Sequence, residues 1–153
     1  MKKLIPFLIS GVLVVGTFGC NNAAKTSADS PNATNETAQA PTKETAQTTQ
    51  NDATSQVRRN QLNSDIRARE QRNNATGGDA MRASGDLQSE VRSKLEANLP
   101  ASQLAVQANN GAVTVSGTVA NQQQLSKIEP LAKEIKGVKS VTNKATVAPA
   151  KAK

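Results

Sequence analysis

Apolar residues gather at two places in this chain and are nearly absent between them: a run at the start, Leu4 to Phe18, and a periodic region that begins near residue 86. In the periodic region Leu87, Val91, Leu95 and Leu99 recur at four-residue intervals, with Glu90, Arg92, Lys94 and Glu96 off that line. This spacing predicts an amphipathic helix, capped by Ser84 or Asp86 and stopped by Pro100. Leu104, Val106 and Ala108 then alternate with Gln103, Ala105 and Gln107, as a half-buried strand does. Asn109, Asn110 and Gly111 follow. Asn and Gly accept positive φ at little cost, so a tight hairpin is expected here. The return strand covers 112–119 and puts Val113, Val115 and Gly117 on one face.

A second helix is predicted from Asn121 to Lys136, with Leu125, Ile128, Leu131, Ala132 and Ile135 inward. Pro130 removes one backbone donor within it, which predicts a kink or a fresh helical start. Gly137 ends it. The last strand runs from Val138 to Val147, with Val141, Ala145 and Val147 on one side. The order αββαβ over 86–147 defines an α+β domain: a three-stranded mixed sheet with two helices on one face. The helical crossover makes the last strand parallel to its partner. A unit of this size is marginal on core burial alone. Residues 148–153 form a basic tail.

Residues 20–85 read differently. From Asn21 to Gln56 the sequence is almost wholly Ala, Thr, Asn, Gln, Ser and scattered charges, with Pro31 and Pro41. With so little aliphatic surface to bury, nothing opposes the entropy of ordering, and a disordered tether is expected. As a coil, the stretch to Gly85 would reach about 40–50 Å, at ~5–6 Å × √n. Within it, 57–72 carries Arg58, Arg59, Arg67, Arg69 and Arg72 against Asp65 and Glu70. Leu62 and Ile66 share a helical face, but Arg58, Arg69 and Arg72 lie beside that face rather than opposite it. A short basic helix at 57–72 is therefore either a fraying, solvated element or a patch that touches membrane or wall.

The opening segment has Lys2 and Lys3, an apolar stretch too short to span a bilayer comfortably, and small residues before Cys20, the chain's one cysteine. The placement of Cys20 directly after Gly19 resembles the lipobox of bacterial lipoproteins, with Phe18 and Thr17 in the looser form of that pattern. The resemblance implies a signal peptide over 1–19, cleavage before Cys20, a diacylglycerol on its sulfur and an acyl chain, such as palmitate, on its amine. A lone cysteine in an exported chain has no disulfide partner, which agrees with a covalent lipid. Without 1–19 the chain keeps no Trp, Tyr or Phe, and it has no His anywhere. Zinc sites of the Cys/His kind and imidazole-dependent triads are thereby excluded, as are aromatic platforms for single-stranded nucleic acid. The formal charge of +7 falls by two when Lys2 and Lys3 leave. A mild, diffuse basic excess suits an anionic membrane surface or wall polymer better than nucleic acid.

Gly111 to Val119, then a helix, then Ile135, Lys136, Gly137, Val138, Lys139, Ser140, Val141, Thr142 and Asn143 resemble the BON domain of bacterial envelope proteins. That family reads V-x-L-x-G-x-V in its Gly-started strand and v-x-G-V-x-x-V-x-N before the final strand; here Val115 stands where Leu is commoner. One copy is present, with no second in 57–85. The resemblance implies attachment to phospholipid membranes, a role in envelope integrity or stress tolerance, and no active site. The alternative is a scaffold or adaptor that docks another envelope protein or peptidoglycan. An enzyme is not expected, nor a metal, a cofactor beyond the acyl chains, or nucleic acid as a partner. Lys127, Lys133, Lys136, Lys139 and Lys144 are the candidate lipid-surface contacts, although lysines late in a helix also favour its negative end. Gly111 and Gly117 are read as structural, and Asn143 is expected to bond backbone. The implied location is the cell envelope, lipid-anchored and facing the periplasm. Asn21 differs from the Asp that retains enteric lipoproteins in the inner membrane, which points to the outer one.

Overall fold

The four-residue line of Leu87, Val91, Leu95 and Leu99 does form a helix, spanning Ser84–Asn98, and all four side chains are buried in the computed structural model, which describes residues 22–78 and 83–150. The expected signal peptide over 1–19, Cys20 and the end of the basic tail lie outside the described residues. In chain order the elements are β1 (Ala24–Lys25), α1 (Lys43–Thr54), α2 (Gln56–Thr76), α3 (Ser84–Asn98), β2 (Gln103–Asn109), β3 (Ala112–Val119), α4 (Gln122–Lys133) and β4 (Ser140–Val147).

The predicted core is present. Leu104, Val106 and Ala108 of β2 and Val113, Val115 and Val119 of β3 face the α3 leucines, with Ile128 and Ala132 of α4 and Ile135 completing the cluster. The β2–β3 hairpin turns through Asn110 (φ 50°) and Gly111 (φ 88°), both left-handed. β3 and β4 pair in parallel, Val113 opposite Val141 and Gly117 opposite Ala145, as a helical crossover requires. At Gly117 (φ 122°) the backbone comes so close to β2 that a Cβ would sit 2.0 Å from the Gln103 carbonyl oxygen. The structural role expected of Gly117 is thus a close approach to the neighbouring strand.

Three local expectations need correction. The N-cap of α3 is Ala83, with no side-chain cap; Ser84 Oγ instead accepts from Asn110 N–H at 3.2 Å, and Asp86 sits in the first turn. A longer-range partner has taken the capping hydroxyl. α4 starts after Asn121, whose side chain accepts from Gln124 N–H, and runs through Pro130 as one element. No fresh start occurs there: Pro130 and Ser126, whose carbonyl loses its helical donor, are both on the exposed side, where water can replace the missing bond. The last strand begins at Ser140, two residues later than expected.

The larger correction concerns what precedes the domain. Among the described residues the sheet has four strands in the order β1-β2-β3-β4 and there are four helices, where three strands and two helices were expected after a disordered tether with a possible short helix at 57–72. β1 adds antiparallel to β2, Ala24 opposite Val106 and Lys25 opposite Ala105. Thr26 extends the pairing: its N–H donates to Leu104 O at 2.9 Å, and its hydroxyl accepts from Leu104 N–H at 2.8 Å. Thr34 Oγ1 bonds the Gln107 side chain on the face of the sheet away from the helices. Thr34–Ala38 thus lies across Ser116, Gly117, Lys144 and Thr146, on the side where Ala105, Ser116 and Thr118 are buried. Composition predicts disorder because it counts only aliphatic burial. Here backbone pairing with β2 and small polar side chains supply partners that no periodicity announces.

Gly117→Ala should therefore cost about 2–4 kcal/mol, from the left-handed φ and the clash with backbone that cannot swing aside. The same substitution at Gly85, which meets open space, should be neutral or stabilising by up to about 1 kcal/mol. Urea unfolding midpoints of the two variants measured side by side check the contrast; equal midpoints would contradict it.

Candidate functional surface

α2 forms over residues given to a basic segment, and its Leu62–Ile66 line determines where it lies. Leu62 is fully buried, and Ile66 packs against the domain core. The arginines beside that line reach carboxylates on α3. Arg58 bonds Glu96 at 2.6 Å and approaches Asp52 at 3.7 Å, while Arg92 closes on the other Glu96 oxygen at 2.6 Å. At the far end of the seam, Arg69 and Arg72 both bond Asp86 Oδ1, at 2.6 and 3.1 Å. The geometry that makes α2 a poor membrane-lying helix makes it a good partner for α3. Arg59 and Arg67 are left on its exposed side.

Two ends of this seam differ in burial. Glu96 is almost fully enclosed between two guanidinium groups, so removing one partner leaves a charge with little water to replace it. Asp86 is more open. Partial burial acts to raise its carboxyl, but hydrogen bonds from Arg69 and Arg72 and their positive charge outweigh that and hold it below the ordinary carboxylate value.

The five candidate lysines do not share one surface. Lys127 is exposed on α4, and Lys133 is tied to Glu129 at 2.6 Å one turn earlier. Lys136 is exposed in the turns after α4. Lys139 donates its backbone N–H to Gly111 O at 2.8 Å and lays its aliphatic stem along that glycine. Lys144 points to the opposite face, lining a cleft of about 430 Å³ with Glu36, Ser116 and Thr146. Asn143 bonds backbone on both sides of its amide, donating to Leu125 O at 3.4 Å and accepting from Ala145 N–H at 3.0 Å. Reasoning from sequence missed the Arg58–Glu96–Arg92 and Arg69–Asp86–Arg72 clusters. The signal was present in the arginines flanking Leu62 and Ile66.

Among the described residues no group of His, Cys, Asp and Glu is placed to hold a metal ion, and no helix is long and apolar enough to cross a membrane. Three clefts are lined mainly by Thr, Ser, Asn and Gln, and a fourth by Lys25, Asp52, Arg58 and Glu96 among small polar residues. The frame is a small α+β layer in which one strand is joined by a parallel helical crossover. Residues 83–149 match the family model of the BON domain, and this part of the chain is a single BON domain. The family is one of non-catalytic binding domains associated with phospholipid membranes. No curated protein matches the chain.

The depressed carboxyl of Asp86 fixes the sign of an acid effect. Its pairing stabilises the α2–α3 seam fully above the unfolded carboxylate value of about 3.9, and that stabilisation is lost as pH falls through the lower folded value. Hydrogen exchange along Ile66–Thr76 should accelerate, relative to an unpaired reference peptide, below about pH 4. Asp86→Asn should already show faster exchange there at pH 7, by the ~1 kcal/mol of a half-exposed pair, and an unchanged profile in that variant would argue against the clasp.

Proposed function

We propose that this chain is an envelope lipoprotein, acylated on Cys20 after removal of 1–19, whose BON domain lies on anionic phospholipid and supports envelope integrity under stress. Two features support the reading: the lipobox-like Gly19–Cys20 junction behind a short apolar run, and the BON family match at 83–149. The match carries the functional half, since this family is associated with phospholipid membranes. The acyl chains supply the lasting part of the attachment, at ~0.8 kcal/mol per buried methylene, with one chain marginal and two or three sufficient. The periplasmic face of the outer membrane is the proposed location. A second reading, docking of another envelope protein, has one observation in its favour. β4 is the last strand of the sheet, and its residues are half-exposed or exposed throughout.

The two parts are tested separately. Cys20→Ser should move the chain from the membrane fraction to the soluble fraction of the envelope, and unchanged retention would remove the lipid anchor. The chain from Asn21 onward, without acylation, should co-sediment with phosphatidylglycerol vesicles and not with neutral phosphatidylcholine. That binding should weaken as salt rises from roughly 0.05 to 0.5 M, where the screening length shrinks to a few ångströms. Absence of binding at low salt would leave the adaptor reading in its place.

A further inference from the structure

The pairing of β1 puts the start of the described chain at one particular end of the domain. Ala24 is opposite Val106 and Lys25 opposite Ala105, so the chain traced backwards from Ala24 runs toward the β2–β3 hairpin. Asn22 already follows that course. Its carbonyl accepts from Gln88 Nε2 at 2.9 Å, and Gln88 Oε1 accepts from Ala108 N–H at 3.3 Å, two residues before the Asn110–Gly111 turn. Ala23 is buried and donates its N–H to Asn32 O at 3.1 Å, so this course is held from both sides. Cys20 precedes Asn22 by two positions, a span of at most about 7 Å of extended chain.

The same end gathers other elements. Asn110 N–H bonds Ser84 Oγ at the start of α3, and Lys139 and Ser140 both donate to Gly111 O. Asp86 brings Arg69 and Arg72 of α2 to that end of α3. Arg69, Arg72 and Lys139 stand there against Asp86 and the neighbouring Glu70, so among the described residues cations outnumber carboxylates. The opposite end is made by Pro100–Ser102, by the Ala120–Gln124 entry to α4, and by Ala148, whose N–H bonds Val119 O.

We propose that β1 fixes the domain upright on the bilayer, with the Asn109–Gly111 turn, the start of α3 and Lys139 against the lipid headgroups. This rests on the acylation of Cys20 proposed above and adds to it an orientation and a contact surface. The domain does not swing at the end of a 65-residue coil, because the chain pairs with the sheet four residues after the anchor. Of the five candidate lysines, Lys139 belongs to the lipid-facing end, while Lys144 sits mid-strand on the sheet face.

The chain has no Trp, so single tryptophans report without background. Ala112→Trp, exposed beside the hairpin turn, and Gln123→Trp, exposed at the other end, are prepared in the full acylated chain. Both are reconstituted into phosphatidylethanolamine–phosphatidylglycerol vesicles containing lipids brominated near the headgroup. Emission from Ala112→Trp should be quenched several-fold more than from Gln123→Trp. Adding Thr26→Val, which removes the hydroxyl that bonds Leu104 and Ser102, should shrink that difference while both proteins stay on the vesicles. Equal quenching in an acylated chain would overturn the orientation alone. Mass spectrometry of the same preparation showing a free Cys20 thiol would overturn the anchor, and the orientation with it.

Discussion

The burial of the α3 leucines against the valines of β2 and β3 is the contact on which the other elements rest. Every large side chain in that contact is Leu, Ile or Val, and no aromatic ring is available after Phe18. Each such side chain contributes ~1.5–3 kcal/mol when fully buried, so the core relies on close approach of many small groups rather than on a few large ones. Gly117 belongs to the same economy of space, since it lets β3 close on β2 where any side chain would hold them apart. α4 packs over β3 and β4 on the far side of the core, and α2 lies along the outer side of α3. Without α3, α2 has no surface to cover.

The periodic part of the chain was readable because its elements bury one face against one core. α3, β2, β3, α4 and β4 appear within a few residues of their predicted limits, and the parallel pairing of β4 follows from the crossover. The unreadable parts have partners that leave no periodic trace. β1 is two residues long, and Thr26 is held by its hydroxyl and backbone, so neither produces an alternation of apolar and polar positions. α2 has only Leu62 and Ile66 to bury, too narrow a line to announce a docked helix, and its arginines make sense only once Glu96 and Asp86 are known to face them. Ser84 was a sound capping residue by local rules, but the hairpin amide of Asn110 claimed it. For the candidate contacts, exposure was legible in the lysines while their grouping was not. Grouping depends on which end of each element meets which neighbour.

The segment that composition assigns to a tether works as a cover. Its first residues extend the sheet, its middle lies over the back of β3, and its second helix seals the outer side of α3. A tether sets how far a domain can travel, whereas a cover paired to the sheet sets how it is presented. With Cys20 acylated as proposed, the anchor and the strand four residues beyond it would act together, one supplying affinity for the bilayer and the other a fixed posture.

The proposed posture would give the open edge of β4 a meaning it lacks in solution. An unpaired edge strand on a freely tumbling protein meets others at random angles, and Lys144 in mid-strand discourages the few encounters that align. On a protein standing with its hairpin toward the lipid, the strands run away from the membrane and the edge looks sideways. Neighbours anchored in the same leaflet would then arrive already parallel, so the lateral density of a chain anchored as proposed, rather than its total amount, would govern how often two edges meet.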